Sequence, residues 1–286
     1  MDKHNSSSQN ILHADIQDKL LNIIETIIKQ EETYLQDKLQ LIITKITQLY
    51  SLETIKHLLK QIISNKRIFF IRHAEAEHNA YNKQIRNLNL NVTVKKTFHN
   101  PGLTELGFSQ SKLLSDEITT HSVVFDLVFV SPLKRTIETF CCIKDSLLAK
   151  QNKVYFIATE FLREALTINN KNIGHDRTRL IEYVNNKQCC LNCEFISKDK
   201  WWLNEMNEYF GDNMEHEPEN KKLFKNRIRL FLLWVMLKKE ENILIISHSK
   251  VYKFINKTKI KNGEIKQLDK DKVLKKCINI FTKVFL

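Results

Sequence analysis

Ile68-Phe69-Phe70-Ile71-Arg72-His73 is a short apolar run that ends in an arginine beside a histidine. A run of this length and composition reads as a buried strand, with the two polar side chains exposed at its C-terminal end. A neutral imidazole is a nucleophile toward phosphorus, and a guanidinium is a planar fork that holds phosphoryl oxygens two at a time. An Arg-His pair alone is common on protein surfaces. Its weight here comes from four further segments that supply complementary groups in a workable order.

The first continues the same loop, Arg72-His73-Ala74-Glu75-Ala76-Glu77-His78-Asn79. The second, Ser131-Pro132-Leu133-Lys134-Arg135-Thr136, follows a predicted strand from Val123 to Val130. Ser131 reads as an N-cap and Pro132 as a first helical residue, which puts Arg135 in a first turn, near unpaired N–H groups. The third, Leu162-Arg163-Glu164, follows a predicted strand from Val154 to Ala158, with Glu160 as a nearby rival carboxylate. The fourth, Ser247-His248-Ser249, closes the strand Ile243-Leu244-Ile245-Ile246; Ser249 reads as a helix cap. Open α/β sheets place ligands at the C-terminal ends of their strands, and the candidate groups all collect there.

Taken together, Arg-His-x-Glu-x-x-x-Asn, Ser-Pro-x-x-Arg-x-x-x-Thr, a Leu-x-Glu and a late strand ending in histidine resemble the histidine phosphatase superfamily, the phosphoglycerate mutase-like group. Asn100-Pro101-Gly102-Leu103-Thr104-Glu105-Leu106-Gly107 resembles its helix-opening element, and Asn262-Gly263-Glu264 an Asn-x-Glu of its last sheet strand. The likeness covers residues 66–286 and leaves residues 1–65 without a counterpart. It implies a three-layer α/β/α sandwich with a mostly parallel sheet, here with a helical N-terminal extension. It implies His73 as the nucleophile, with Arg72, Arg135 and His248 around the transferring oxygens. Glu164 would be the acid that protonates the leaving group, and Asn79 a further phosphate contact. Phosphoryl transfer needs in-line placement and stabilisation of three equatorial oxygens, and these side chains can supply both, so no metal and no cofactor are expected.

Two departures from the family pattern bear on activity. Ala74 stands where many members have glycine, which is tolerable unless the position needs positive φ. After Glu164 the chain runs Ala165-Leu166-Thr167-Ile168, without the Arg-His-Tyr-Gly stretch of true mutases. A phosphomonoesterase acting on a small molecule or a phosphopeptide is therefore expected. A phosphoglycerate or bisphosphoglycerate mutase, or a weakly active interaction protein working through its extension, are the alternatives.

With 45 Lys and Arg against 33 Asp and Glu the net charge is +12, but the lysines are spread along the chain with no nucleic-acid motif. An anionic substrate is expected, and neither a nucleic acid nor a membrane partner. No signal peptide or membrane-length apolar run is visible, and Cys-Cys-x-x-Cys at 189–193 lacks a second zinc-spaced pair, so a cytoplasmic protein with free thiols is anticipated. Residues 1–10 are polar and expected to be disordered. From Ile11 to Ser64 neither glycine nor proline intervenes. One stripe runs Leu20, Ile23, Ile24, Ile27 and Ile28, and another Leu35, Leu39, Ile42, Ile43, Ile46 and Leu49. Ser51 would cap a third helix. Such stripes need a partner surface, either the catalytic domain or, for residues 11–64, a second copy of the chain. Residues 80–99 and 167–220 read as rim insertions, with Tyr81, Lys83, Arg86, Lys95, Lys96, Trp201, Trp202, Tyr209 and Phe210 as candidate contacts. His78 is expected to be structural or at the rim, and Asp176 to pair with Arg177 or Arg179.

Overall fold

In this computed structural model the described residues are 2–30, 35–88, 96–151, 153–167, 170–202 and 219–282. Lys95, Tyr209 and Phe210 lie outside them.

The apolar run becomes strand β1 (Arg67–Arg72), and every second side chain faces the same way. Ile68 and Phe70 enter one buried cluster, Phe69 and Ile71 the other, so the strand is apolar throughout because both its faces are covered. β2 (Leu127–Val130), β3 (Tyr155–Ala158) and β4 (Asn242–Ser247) behave alike, and β5 (Ile265–Gln267) closes the edge. The five strands run in the order β3-β2-β4-β1-β5, all parallel except β5, which is antiparallel to β1. The registers β1–β4 (Phe69 opposite Leu244) and β2–β4 (Val128 opposite Leu244) set the C-terminal ends of the three central strands side by side.

Between the strands lie α4 (Glu77–Asn87), α5 (Glu105–Thr120), α6 (Lys134–Leu148) and α7 (Arg177–Asn186). Helices α5, α6 and α7 cover one sheet face through Leu114, Ile118, Ile137, Phe140, Leu180 and Val184. The opposite face carries α8 (Lys221–Leu237), α9 (Ser249–Asn256) and α10 (Lys270–Thr282). From Arg227 to Leu237 every residue of α8 is buried. A helix apolar all round must be covered on both sides. Phe129 of the sheet packs against Phe231 and Trp234 at ring separations of 5.2 and 4.9 Å. On the far side the N-terminal helices α1 (Asp2–Ile28), α2 (Leu35–Leu49) and α3 (Leu52–Asn65) join the same apolar cluster.

The isoleucine stripes are thus used within the chain: Leu20, Ile24, Ile27, Ile28, Ile42 and Ile46 are buried against the α8 layer. Polar contacts fix the docking. Trp234 Nε1 donates to Glu25 at 2.8 Å, and the Gln17 amide donates to the carbonyls of Leu237 and Lys238, at the end of α8. Ser51 caps α3 as expected, accepting from Thr54 N at 3.1 Å, whereas Leu49 is exposed. Residues 2–10 are helical rather than disordered: α1 starts at Asp2, one hydrogen bond per added residue extending a helix already nucleated by its packed half. Among the described residues no helix is long and apolar enough to cross a membrane. The expectation of free thiols fails at one pair, since Cys141 of α6 and Cys189 after α7 are joined by a disulfide, brought together by the packing of those two helices.

Candidate active site

Backbone bonds continue the ladder one step past the strands and align their loops. His73 N donates to Ser247 O, Ser131 N to Ile246 O and Thr159 N to Val130 O, each at 3.0 Å. His73 and His248 consequently meet with ring centroids 5.2 Å apart, and His78 lies 6.2 Å from His73. All three rings are buried.

The protonation pattern of His73 follows from its partner. Nδ1 sits 2.7 Å from Ala74 O, and a carbonyl oxygen only accepts, so Nδ1 carries the hydrogen and Nε2 keeps its lone pair. Burial, then Arg135 and Arg72, hold the imidazole well below its ordinary range, so it is neutral at neutral pH. The loop is pinned from several directions. Ala74 N donates to Thr139 Oγ1 at 3.1 Å, and Asn262 Nδ2 donates to His73 O at 2.9 Å and Ala74 O at 3.2 Å. Ala74 has no positive φ, which is why alanine is accommodated there. Gly107 is needed, because a Cβ would fall 2.1 Å from Glu75 O, where helix α5 crosses the loop.

Around this nucleophile the polar groups are short of partners. Arg72 Nε, Arg135 Nε, His78 Nδ1 and His248 Nδ1 are buried side-chain atoms with no hydrogen-bond partner. Arg135, in the first turn of α6, spends its terminal nitrogens on Lys171 O and Asn172 Oδ1, at 3.0 and 2.9 Å. Burial lowers its guanidinium to about 10, against the attraction of Glu164. Asn79 Nδ2 donates to His78 Nε2 at 3.1 Å, so neutral His78 carries its hydrogen on the unpartnered Nδ1. Burial, then Arg135 and Lys171, hold His78 down to about 2. His248 Nε2 lies 2.8 Å from Ser131 Oγ, and burial, then Arg135, keep this ring neutral too. Buried donors without partners, gathered around a lone pair, form a pocket suited to an oxyanion.

The two candidate carboxylates separate cleanly. Glu160 is half-buried and engaged elsewhere, accepting from Ser197 N and Oγ at 3.1 and 2.9 Å and facing Lys38 of α2. Glu164 instead acts electrostatically on Arg72 and Arg135. The turn that carries it is clamped. Arg227 donates to Phe161 O and Arg163 O at 2.6 and 2.9 Å and pairs with Glu219, which also binds Arg163 at 3.0 Å. Burial opposes the charge on Glu219, but the two guanidiniums more than compensate and hold it at about 2. Glu219→Ala would remove the carboxylate that Arg227 pairs with inside the core and weaken the hold on Arg163. An expected loss of about 3–5 kcal/mol follows, read by denaturant unfolding at pH 7. In the wild type this contribution is present above the unfolded carboxyl range and fades as pH falls toward 2. A loss below about 1 kcal/mol would mean the clamp is dispensable.

Residues 68–165 match the model of the histidine phosphatase superfamily, branch 1. That segment, about a third of the chain, is similar to the histidine phosphatase superfamily. It holds Arg72, His73, Asn79, Arg135 and Glu164, whereas His248 lies beyond it and joins the pocket through β4. A comparison with curated proteins gives no match. Among solved structures, the ecdysone phosphate phosphatase of Bombyx mori is 15% identical, over 71% of this chain and 88% of that one, with a TM-score of 0.48. The α-ribazole phosphatase of Shigella flexneri is 20% identical over 71% and 90%, with a TM-score of 0.41. A mycobacterial glucosyl-3-phosphoglycerate phosphatase is 12% identical over 71% and 89%, with a TM-score of 0.42. These are distant likenesses of fold.

Several local readings change in the folded chain. Ser131 is no helix cap: α6 starts at Lys134 behind Leu133, and the Ser131 hydroxyl turns to His248 instead. Likewise His248, not Ser249, occupies the N-cap position of α9. Trp201 and Trp202 are core rather than rim, stacked edge to face in the α5–α7 layer, with Trp201 Nε1 donating to His175 O at 2.8 Å. Asp176 does cap α7 through Arg179 N at 2.8 Å and pairs with the Arg179 side chain at 3.4 Å. His78 is a wall of the pocket. Thr139 and Asn262 stood inside quoted motifs without a role. Asn172 and the Arg163–Glu219–Arg227 cluster had no sequence signal, because their partners are up to 66 positions away.

Proposed function

We propose that the chain is a phosphomonoesterase that works through a phosphohistidine on His73. The observation that carries this reading is the unprotonated Nε2 of His73, fixed by the Nδ1–H bond to Ala74 O among unpartnered cationic and neutral donors. The Nε2 lone pair forms a bond to phosphorus as the ester P–O bond breaks, and Glu164 gives its proton to the departing alkoxide. Glu164, now a carboxylate, takes a proton from water as that water attacks phosphorus. The P–N bond breaks, phosphate leaves and Glu164 is again protonated. Arg72, Arg135 and His248 stabilise the equatorial oxygens, with His78 as a further donor set by Asn79.

The run after Glu164 favours hydrolysis over transfer. Ala165 and Leu166 are buried and apolar, and Ala165 O accepts from Asn172 Nδ2 at 2.7 Å, so these two residues themselves offer no charge to a carboxylated three-carbon product. The alcohol therefore departs and water takes its place. Given 3-phosphoglycerate with a trace of bisphosphoglycerate, the protein should form little 2-phosphoglycerate, while 4-nitrophenyl phosphate yields inorganic phosphate, with EDTA present. Isomerisation at turnover above phosphate release would sink the hydrolase reading, and a loss of activity in EDTA restored by a divalent cation would sink the metal-free one.

A further inference from the structure

Beside the turn that carries Glu164 lies a groove of about 570 Å³, within the size range of small-molecule sites. Its floor is apolar. Ala165 and Leu166, which directly follow Glu164, line it together with the half-buried rings of Phe224 and Phe254, 6.0 Å apart and edge to face. Its rim is cationic, with Lys221 and Lys225 on α8, Lys250 and Lys253 on α9, and Lys257 just beyond, all exposed. The carboxylate in its wall, Glu219, is already committed to Arg163 and Arg227.

Charge of one sign is therefore concentrated here. Behind the floor, Lys276 sits 4.6 Å from the Phe254 ring. Burial, then Lys257, Arg229, Lys275 and Lys225, hold its ammonium below the ordinary range, with no acidic group acting on it. Scattered surface lysines are ordinary in a chain of net charge +12. Five around one apolar floor, in a cavity that begins at the residue after Glu164, repel one another and are relieved by an anion. Lys250 lies two residues after His248, so the groove draws on two of the chain segments that also supply the phosphate pocket, the turn after Glu164 and the start of α9.

We infer that this groove is a second subsite, which seats an additional anionic group on a ring-bearing small-molecule phosphate monoester whose scissile phosphate lies at His73. The inference rests on the phosphatase reading and names its substrate class. Aromatic or apolar surface on the ligand covers Phe224 and Phe254, while the second phosphate, sulfate or carboxylate is held by the lysine rim. An ester with a single phosphate uses the His73 pocket alone.

The test compares adenosine 3′,5′-bisphosphate with adenosine 5′-monophosphate, using 4-nitrophenyl phosphate as the basal substrate. In the wild type at low salt, kcat/KM for the bisphosphate should exceed that for the monophosphate by about tenfold or more, the size of one or two charged hydrogen bonds. Lys225→Glu and Lys253→Glu, on different helices, should each remove most of that advantage and leave 4-nitrophenyl phosphate turnover unchanged. Equal kcat/KM for the two nucleotides, or an advantage that survives both substitutions, would overturn the subsite. If 4-nitrophenyl phosphate is not hydrolysed at all, the phosphatase reading fails separately. Calorimetric titration with the bisphosphate then decides the groove alone: about tenfold weaker binding in both variants upholds it, and unchanged binding removes it.

Discussion

His73→Asn lowers phosphate release from an aryl phosphate by about 10⁴-fold or more, the scale of removing a nucleophile whose partners remain in place. Asparagine suits this test better than alanine, because its amide can still donate toward Ala74 O and keep the loop pinned by Thr139 and Asn262. Rapid quench of the wild type should trap an acid-labile, base-stable phosphoprotein, the signature of an N–P bond, and the variant should trap none. The electrostatics add a pH expectation. Burial, then Arg135 and Arg72, place His73 well below its ordinary value of 6.5, so its lone pair stays available as pH falls from 8 to 6.5. Phosphoenzyme formation should therefore be flat over that interval. A folded variant that keeps more than about a hundredth of wild-type turnover would remove His73 from the nucleophile role.

Glu164→Gln separates an acid from a binding group by how it treats leaving groups. An alkyl phosphate departs as a strongly basic alkoxide and needs its proton, so its hydrolysis should slow by about 10²–10⁴-fold. The phosphorylation burst from 4-nitrophenyl phosphate should suffer far less, because nitrophenolate leaves unaided. An equal loss on both esters would make Glu164 a positioning group for Arg72 and Arg135, on which its charge acts. Glu160→Gln serves as the contrast. Its carboxyl is engaged with Ser197 and faces Lys38, so it should affect stability rather than the leaving-group pattern.

Where a signal was local, the sequence carried it. The run Ile68–Ile71 marks β1, the apolar stretch 243–246 marks β4, and the strand ends bearing Arg72, His73 and His248 mark the edge where the candidate groups gather. Readings that depended on a single residue's immediate surroundings fared worse. Ser131 and Ser249 have the chemistry of helix caps, yet Ser131 directly follows β2 and Ser249 is already the first residue of α9. Leu133 and His248 took the cap positions, and the Ser131 hydroxyl went to His248. Trp201 and Trp202 looked like rim aromatics because an insertion was assumed to lie outside. In the fold the segment tucks Trp201 against Gly174, where a Cβ would come within 2.0 Å of the indole.

The central strands, the parallel α/β class and the order of the candidate groups were determined by the sequence itself, because apolar runs and motif spacing are written along the chain. Tertiary structure decided which carboxylate acts on Arg72 and Arg135, which nitrogen of His73 and of His78 carries hydrogen, and what the isoleucine stripes cover. Each of these depends on partners far away along the chain: Ala74 O held by Asn262, Glu160 drawn to Ser197, and α8 clothed by the N-terminal helices on the side the sheet leaves bare. A periodic pattern states that a face must be buried, and only packing states against what.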